Sequence, residues 1–215
     1  MSTAALREEI CRVGQSLFAR GYVHATAGNI SVRLDDGGFL ITPTDACLGT
    51  LDPARLAWVD AAGVQQSGDR ASKTLALHRR IYAAAPAARC VLHTHSTHLV
   101  ALTLQGVWSA DAIVPPITPY CVMKVGPVPL IPYHRPGDPA VAALVAERIA
   151  ARPGLRGVML DRLGPTVWHA SPAAANAVLE ELEETARLWL LCQPKPAPLD
   201  AAQLAALQAA FGCTW

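Results

Sequence analysis

The sequence predicts an α/β fold in which helices flank a central mixed sheet, and three observations carry that expectation. Leu6, Ile10, Val13 and Leu17 recur with the 3.6-residue period of an amphipathic helix. Ile30-Ser31-Val32-Arg33-Leu34 alternates with the two-residue period of a strand. Helical and extended patterns then follow one another along the chain, the arrangement expected when helices cover one sheet. At 215 residues the chain is long enough to bury one sizeable core, so a single domain over residues 1–215 is expected.

The opening helix spans residues 3 to 20, with Ser2 or Thr3 as its cap and Gly21 as its end. The alternating run 30–34, the turn Asp35 to Gly38 and the run Phe39-Leu40-Ile41 form a β-hairpin. Leu56 to Val59 and the residues after Gly63 read as a second short pair. Ser72 to Ala85 is helical in pattern and ends before Pro86. A strand from Arg89 to Leu92 follows. The Pro-rich middle, from Pro115 to Pro139, reads as ordered loop and edge strand. Beyond it come a helix at Asp138 to Arg152, strands at Gly157 to Leu160 and Thr166 to Trp168, a long helix at Ser171 to Leu191, and a last helix at Asp200 to Phe211.

Composition narrows the function. Lys plus Arg (18) nearly balance Asp plus Glu (17), which gives no footprint for nucleic acid or an anionic membrane. No apolar run approaches the roughly 20 residues that span a bilayer. The six cysteines contain no Cys-x-x-Cys pair, and the first residues lack the basic and apolar segments of a secretory signal. A cytoplasmic setting with buried, unpaired thiols is expected. The Glu180-Glu181-Leu182-Glu183-Glu184 run reads as a solvated helix face.

The segment Cys90-Val91-Leu92-His93-Thr94-His95-Ser96 bears most directly on chemistry. Residues i and i+2 of an extended backbone share a side, so His93 and His95 can converge on one point. Imidazole is the commonest neutral ligand of Zn²⁺ and its neighbours, and a catalytic site takes three protein ligands with one position open.

Taken with this pair, Thr26-Ala27-Gly28-Asn29-Ile30-Ser31, Ile41-Thr42-Pro43-Thr44, Pro119-Tyr120 and Tyr133-His134-Arg135-Pro136-Gly137-Asp138 give the chain a resemblance to the class II aldolase/adducin family. Within it, the chain is most similar to the 3-oxo-tetronate 4-phosphate decarboxylases. The resemblance implies a three-layer αβα sandwich with a central mixed, mainly antiparallel sheet. It also implies a homotetramer with active sites near subunit boundaries, and a divalent metal held by three histidines, often with a glutamate that doubles as acid or base. Zinc is the expected ion, with manganese or cobalt as alternatives.

Three positions depart from the family pattern. Its Pro-Ser-Ser-Glu or Pro-Ser-Lys-Glu segment reads Ala71-Ser72-Lys73-Thr74, its Asn-His-Gly-Pro reads Arg162-Leu163-Gly164-Pro165, and its Thr-Pro-Thr-Gly turn reads Thr42-Pro43-Thr44-Asp45. Leu163 has no lone pair, which leaves two histidines and opens the third position to His134, His98, Asp161 or Cys90. Thr74 cannot take a proton near neutrality as glutamate does. β-Keto acid decarboxylation tolerates that loss better than aldol cleavage, because its main need is an electron sink at the ketone oxygen.

Lys73 is the nearby cation for the phosphate, carboxylate or carbonyl. Asn29, Thr44 and Ser72 are the phosphate donors, with Asp45 opposing them if it faces the pocket. Tyr120 is the candidate substrate or proton-relay contact. The expectation is a metal-dependent lyase decarboxylating a small phosphorylated sugar acid. The alternative is a member that keeps the fold for binding or assembly without catalysis.

Overall fold

The computed structural model describes residues 2–215. Eight strands form one sheet in the order β4-β3-β2-β1-β5-β8-β7-β6. The strands are β1 (Asn29–Arg33), β2 (Phe39–Ile41), β3 (Ala57–Val59), β4 (Gln65–Ser67), β5 (Cys90–His93), β6 (Leu130–Ile131), β7 (Gly157–Leu160) and β8 (Gly164–His169). Every neighbouring pair is antiparallel except β6 with β7. This is the mixed, mainly antiparallel sheet expected from the sequence.

Six α-helices cover it: α1 (Thr3–Ala19), α2 (Leu75–Ala84), α3 (Thr97–Gln105), α4 (Ala140–Ala151), α5 (Pro172–Leu191) and α6 (Ala201–Phe211). Strand alternation sorts the core into two layers. Ile30 and Val32 of β1, Cys90 and Leu92 of β5 and Val167 of β8 pack with Ile10 and Leu17 of α1 and Leu179 and Leu182 of α5. Val91, Val158 and Trp168 point the other way, onto Ile81 and Tyr82 of α2 and Val145 and Ile149 of α4. The result is a three-layer αβα sandwich.

The predicted elements recur with small shifts, each with a local cause. Ser2 caps α1 by accepting from the Ala5 amide, and Asp200 forms a full capping box with Gln203 at α6. Helix α2 starts at Leu75, not at Ser72. Ser72 instead donates its amide to the Thr42 carbonyl and accepts from the Thr74 amide, which holds residues 72–74 as a turn against the end of β2. Helix α3 was not predicted, since Leu99-Val100-Ala101-Leu102 shows no clean polar face.

The acidic run departs further from expectation. Glu183 is not solvated but 2% exposed, and its carboxylate accepts from the His98 and Leu99 amides at 2.9 and 3.1 Å and from His98 Nδ1 at 2.8 Å. A carboxylate suits this place because the first amides of a helix lack partners and carry positive partial charge. Glu183→Ala is therefore expected to lower the unfolding free energy by about 3 kcal/mol in urea titrations, because it strands those donors in the interior.

Candidate metal and substrate site

The antiparallel registers align Asn29 with His93 and His93 with Thr166, so three polar side chains form a row across β1, β5 and β8 on the α2 face. His93 is 5% exposed, and its Nδ1 donates to the Pro165 carbonyl at 2.9 Å, with Thr166 Oγ1 at 3.1 Å. That bond places the ring proton on Nδ1 and leaves Nε2 as a free lone pair. The His95 ring lies 5.1 Å from that of His93, at 71° to it. Burial first, and then the neighbouring His95, push His93 down to about 3; burial and then His24 lower His95. Both rings are held neutral, the form that donates a lone pair.

Beneath them lies a second polar chain. The Tyr82 hydroxyl donates to the Ser31 carbonyl at 2.9 Å, so the Ser31 hydroxyl donates to Tyr82 Oη at 2.8 Å and in turn accepts from His78 Nδ1 at 2.8 Å. His78 Nε2 is then a bare acceptor, fully buried and without a partner among the described residues, as is Oδ1 of Asn29. Burial and then the nearby His93 push His78 down to about 3. Buried orphan acceptors are uncommon in folded proteins. Here they accompany the histidine pair and add unpaired acceptors on the same face of the sheet.

Two close backbone contacts shape the rim. A Cβ on Gly164, at φ +144, would sit 1.9 Å from the Thr94 carbonyl, so the β7–β8 turn presses on the backbone between the two histidines. A Cβ on Gly28, at φ +87, would meet the His93 carbonyl at 2.8 Å. The loop after α1 is thereby pressed onto the same segment, and His24 comes with it, its ring 6.4 Å from that of His95. Sequence reasoning passed over His24; the one available signal was its place just before the Thr26-Ala27-Gly28-Asn29 turn.

Residues 8–190 match the class II aldolase and adducin N-terminal domain. The chain belongs to this family. It is 59% identical, over the full length of both chains, to a 3-oxo-tetronate 4-phosphate decarboxylase of Cupriavidus necator, and 45% identical to that of Escherichia coli over 89% of each chain. The crystal structure of YgbL from Klebsiella pneumoniae superposes with a TM-score of 0.89 at 43% identity, covering 96% of this chain and 99% of that one. An L-fuculose 1-phosphate aldolase at 20% identity shares the fold, with a TM-score of 0.82.

Class II aldolases generally use a divalent metal, typically zinc. His93 and His95 fit two positions of such a shell: zinc bound to two imidazoles at about 2.0 Å in tetrahedral geometry sets their ring centres roughly 5 Å apart. Among the described residues, however, no three His, Cys, Asp or Glu side chains are gathered to share one ion. Leu163, where the family carries its third histidine, packs against the apolar cluster under α2.

The other candidates for that position are engaged elsewhere. His134 follows β6, three strands from β5, with Nδ1 facing Asp138 at 3.5 Å. His98 donates Nδ1 to Glu183. Asp161 follows β7, its backbone amide tied to the Ile131 carbonyl of the edge strand β6, and Cys90 points into the opposite core, where burial pushes its thiol up.

The substrate candidates divide. Asn29 stands beside His93, as described. The hydroxyls of Ser72 and Thr74 lie 2.9 Å apart ahead of α2, and Thr44 is half-buried after β2. Lys73 is exposed and, among the described residues, has no hydrogen bond or ion pair. Asp45 is exposed at φ +57, a left-handed conformation that a glycine would adopt without cost. Tyr120, 60% exposed, is not brought to the histidines; it lies on the α5 side with Tyr22, Lys124 and Glu181.

The buried histidines fix a pH response. Both folded values, about 3, lie below the usual 6.5, so the unfolded chain takes up protons first as pH falls. Unfolding free energy measured in EDTA should be level above about pH 7 and then fall below about 6.5, by up to about 1.4 kcal/mol per pH unit for each histidine. His78→Gln should remove its share of that slope, whereas a profile flat from pH 7 to 5 would contradict the neutral assignment.

Proposed function

We propose that this protein decarboxylates a 3-oxo-tetronate 4-phosphate to a triose phosphate and CO₂, with a divalent metal, zinc first, at His93 and His95. The observation that carries the reading is the neutral histidine pair, with its tautomer set by Pro165, in a chain 59% identical from end to end to a protein named for this reaction. When bound, the metal supplies an electron sink for the ketone oxygen. The C1–C2 bond breaks, its electron pair moves toward C2 and the ketone oxygen, and a proton returns to C2. No carboxylate base is required for the bond to break, which accommodates Thr74.

The chain's own groups bind and orient. Ser72, Thr44 and the amide of Asn29 present donors to the phosphate from the β1, β2 and α2 ends of the pocket. Lys73, free of other partners, reaches for the anionic ends of the substrate. Asn29 Oδ1 and His78 Nε2 accept from a substrate hydroxyl or a bound water, which would satisfy two atoms otherwise orphaned. Tyr120 serves as proton donor from a neighbouring subunit, because within one chain it faces the α5 side.

A homotetramer is part of this proposal. Its support is α6, Ala201–Phe211, which has no charged residue and no buried residue within the chain, together with the exposed Leu188, Leu191 and Phe211. A helix without charge whose apolar residues all stay uncovered calls for a cover. The absence of any described helix long and apolar enough to cross a membrane, and six free thiols, accord with a cytoplasmic enzyme. Leu163 favours the other reading, a family member without turnover.

The deciding assay follows CO₂ and triose phosphate from the zinc-reconstituted protein. Turnover is expected, lowered roughly 1,000-fold in His93→Ala, the scale set by losing the group that steadies charge in the transition state. A protein inert with zinc, manganese and cobalt alike would leave the non-catalytic reading. Light scattering should give four chains per particle, and a monomer would remove the assembly argument.

A further inference from the structure

We propose that Thr94 and Ser96 are positioning residues: a hydroxyl bridge between them, anchored on the Tyr22 carbonyl, holds the His95 imidazole beside that of His93. The inference rests on the reading of this histidine pair as the reacting site. Strand β5 ends at His93, which makes the last register pair with Asn29 on one side and with Thr166 on the other. The Thr94 amide still reaches the Pro165 carbonyl at 3.3 Å, but no ladder pair includes His95. Its direction is therefore set by the turn.

Side chains take over at that point. Thr94 and Ser96 are both 0% exposed, and their hydroxyl oxygens lie 2.7 Å apart across His95. Ser96 donates its proton to the Tyr22 carbonyl at 3.2 Å, so the Thr94 hydroxyl is the donor within the pair. Residues two apart in an extended chain share a side. A bond between the hydroxyls of 94 and 96 keeps that relation where strand pairing has stopped, and His95 is left on the side of His93, with 5.1 Å between ring centres.

The place of Ser96 supports this assignment independently. It is the N-cap residue of α3, where a serine hydroxyl ordinarily accepts from the second or third amide of the helix. Here it accepts from neither, and the His98 and Leu99 amides go to Glu183 instead. A carboxylate from α5 takes over the capping and leaves the serine hydroxyl to Thr94 and Tyr22. The Tyr22 carbonyl belongs to the loop after α1, whose Gly28 lies against the His93 carbonyl. Both ends of the segment from His93 to Ser96 are thus referred to one loop. The two hydroxyls are buried, so they act through His95 and not on the substrate.

The test compares the full-length wild type with Thr94→Val, Thr94→Ser, Ser96→Ala and the double variant Thr94→Val/Ser96→Ala. In EDTA, with isotope-labelled histidine, the nuclear Overhauser contact between the His93 and His95 rings reports their separation. With zinc, kcat and KM are read from CO₂ release. Thr94→Val keeps the branched shape and removes only the hydroxyl. The ring contact is expected in wild type and Thr94→Ser and should be lost in Thr94→Val and Ser96→Ala. In those two kcat should fall about 10- to 100-fold with KM changed by less than about threefold, the scale of an ångström-sized misplacement of a reacting group. The double variant should be no worse than Ser96→Ala, because both changes break one bridge. Recovery in Thr94→Ser separates the bridge from a folding defect.

An unchanged ring contact and kcat in Thr94→Val would overturn the bridge and leave the reading of the pair intact. Losses that multiply in the double variant, or a loss in Thr94→Ser as deep as in Thr94→Val, would overturn it too. A wild type inert with every metal would overturn the decarboxylase reading, while the ring contact would still decide the bridge.

Discussion

A side chain at position 164 would meet the Thr94 carbonyl at 1.9 Å, and one at position 28 would meet the His93 carbonyl at 2.8 Å. These two backbone contacts, one from each side of β5, are the constraint on which the site depends. They compress the β7–β8 turn and the loop after α1 onto a single stretch of four residues, His93 to Ser96. Everything chemical is then referred to that stretch: the Pro165 carbonyl that sets the His93 tautomer, the row from Asn29 to Thr166, and the loop that carries His24. The glycines tolerate the approach and the positive φ that accompanies it, at a conformational cost borne when the chain folds.

The electrostatic character of the pocket follows from the same packing. Burial keeps His78 and His93 neutral, and hydrogen bonds aim their protons away from the pocket, to Ser31 and Pro165. What remains facing inward is lone pairs. A group of neutral acceptors is poor at binding anions by itself and has the chemistry that suits a cation. Ser72, Thr44 and Lys73 sit closer to solvent than this buried group.

Helix α3 shows how tertiary contacts complete an element that local sequence leaves ambiguous. Its first amides are capped from 85 residues away by Glu183, a residue that the acidic run disguises as surface. The same carboxylate holds His98 by its Nδ1 at 2.8 Å. One buried charge therefore anchors both the helix start and the orientation of the histidine in its first turn.

Hydrophobic periodicity and turn residues by themselves determined the order of most elements, α3 excepted, together with the β1–β2 hairpin, the long helix α5 and the α/β class, because those signals are local and repeat many times. The His-x-His spacing pointed to two imidazoles on one side, but β5 ends at His93, so the turn after the strand is what sets the His95 ring 5.1 Å from that of His93. Tertiary structure alone decided which residues lie near them: Gly28 packs against the His93 carbonyl, and the loop it belongs to sets the His24 ring 6.4 Å from that of His95, whereas His134 is carried three strands away by the sheet order. The inward-facing Glu183, the orphaned Nε2 of His78 and the outward Tyr120 were likewise decided by packing, because burial and hydrogen-bond partners depend on distances through space that no local pattern encodes.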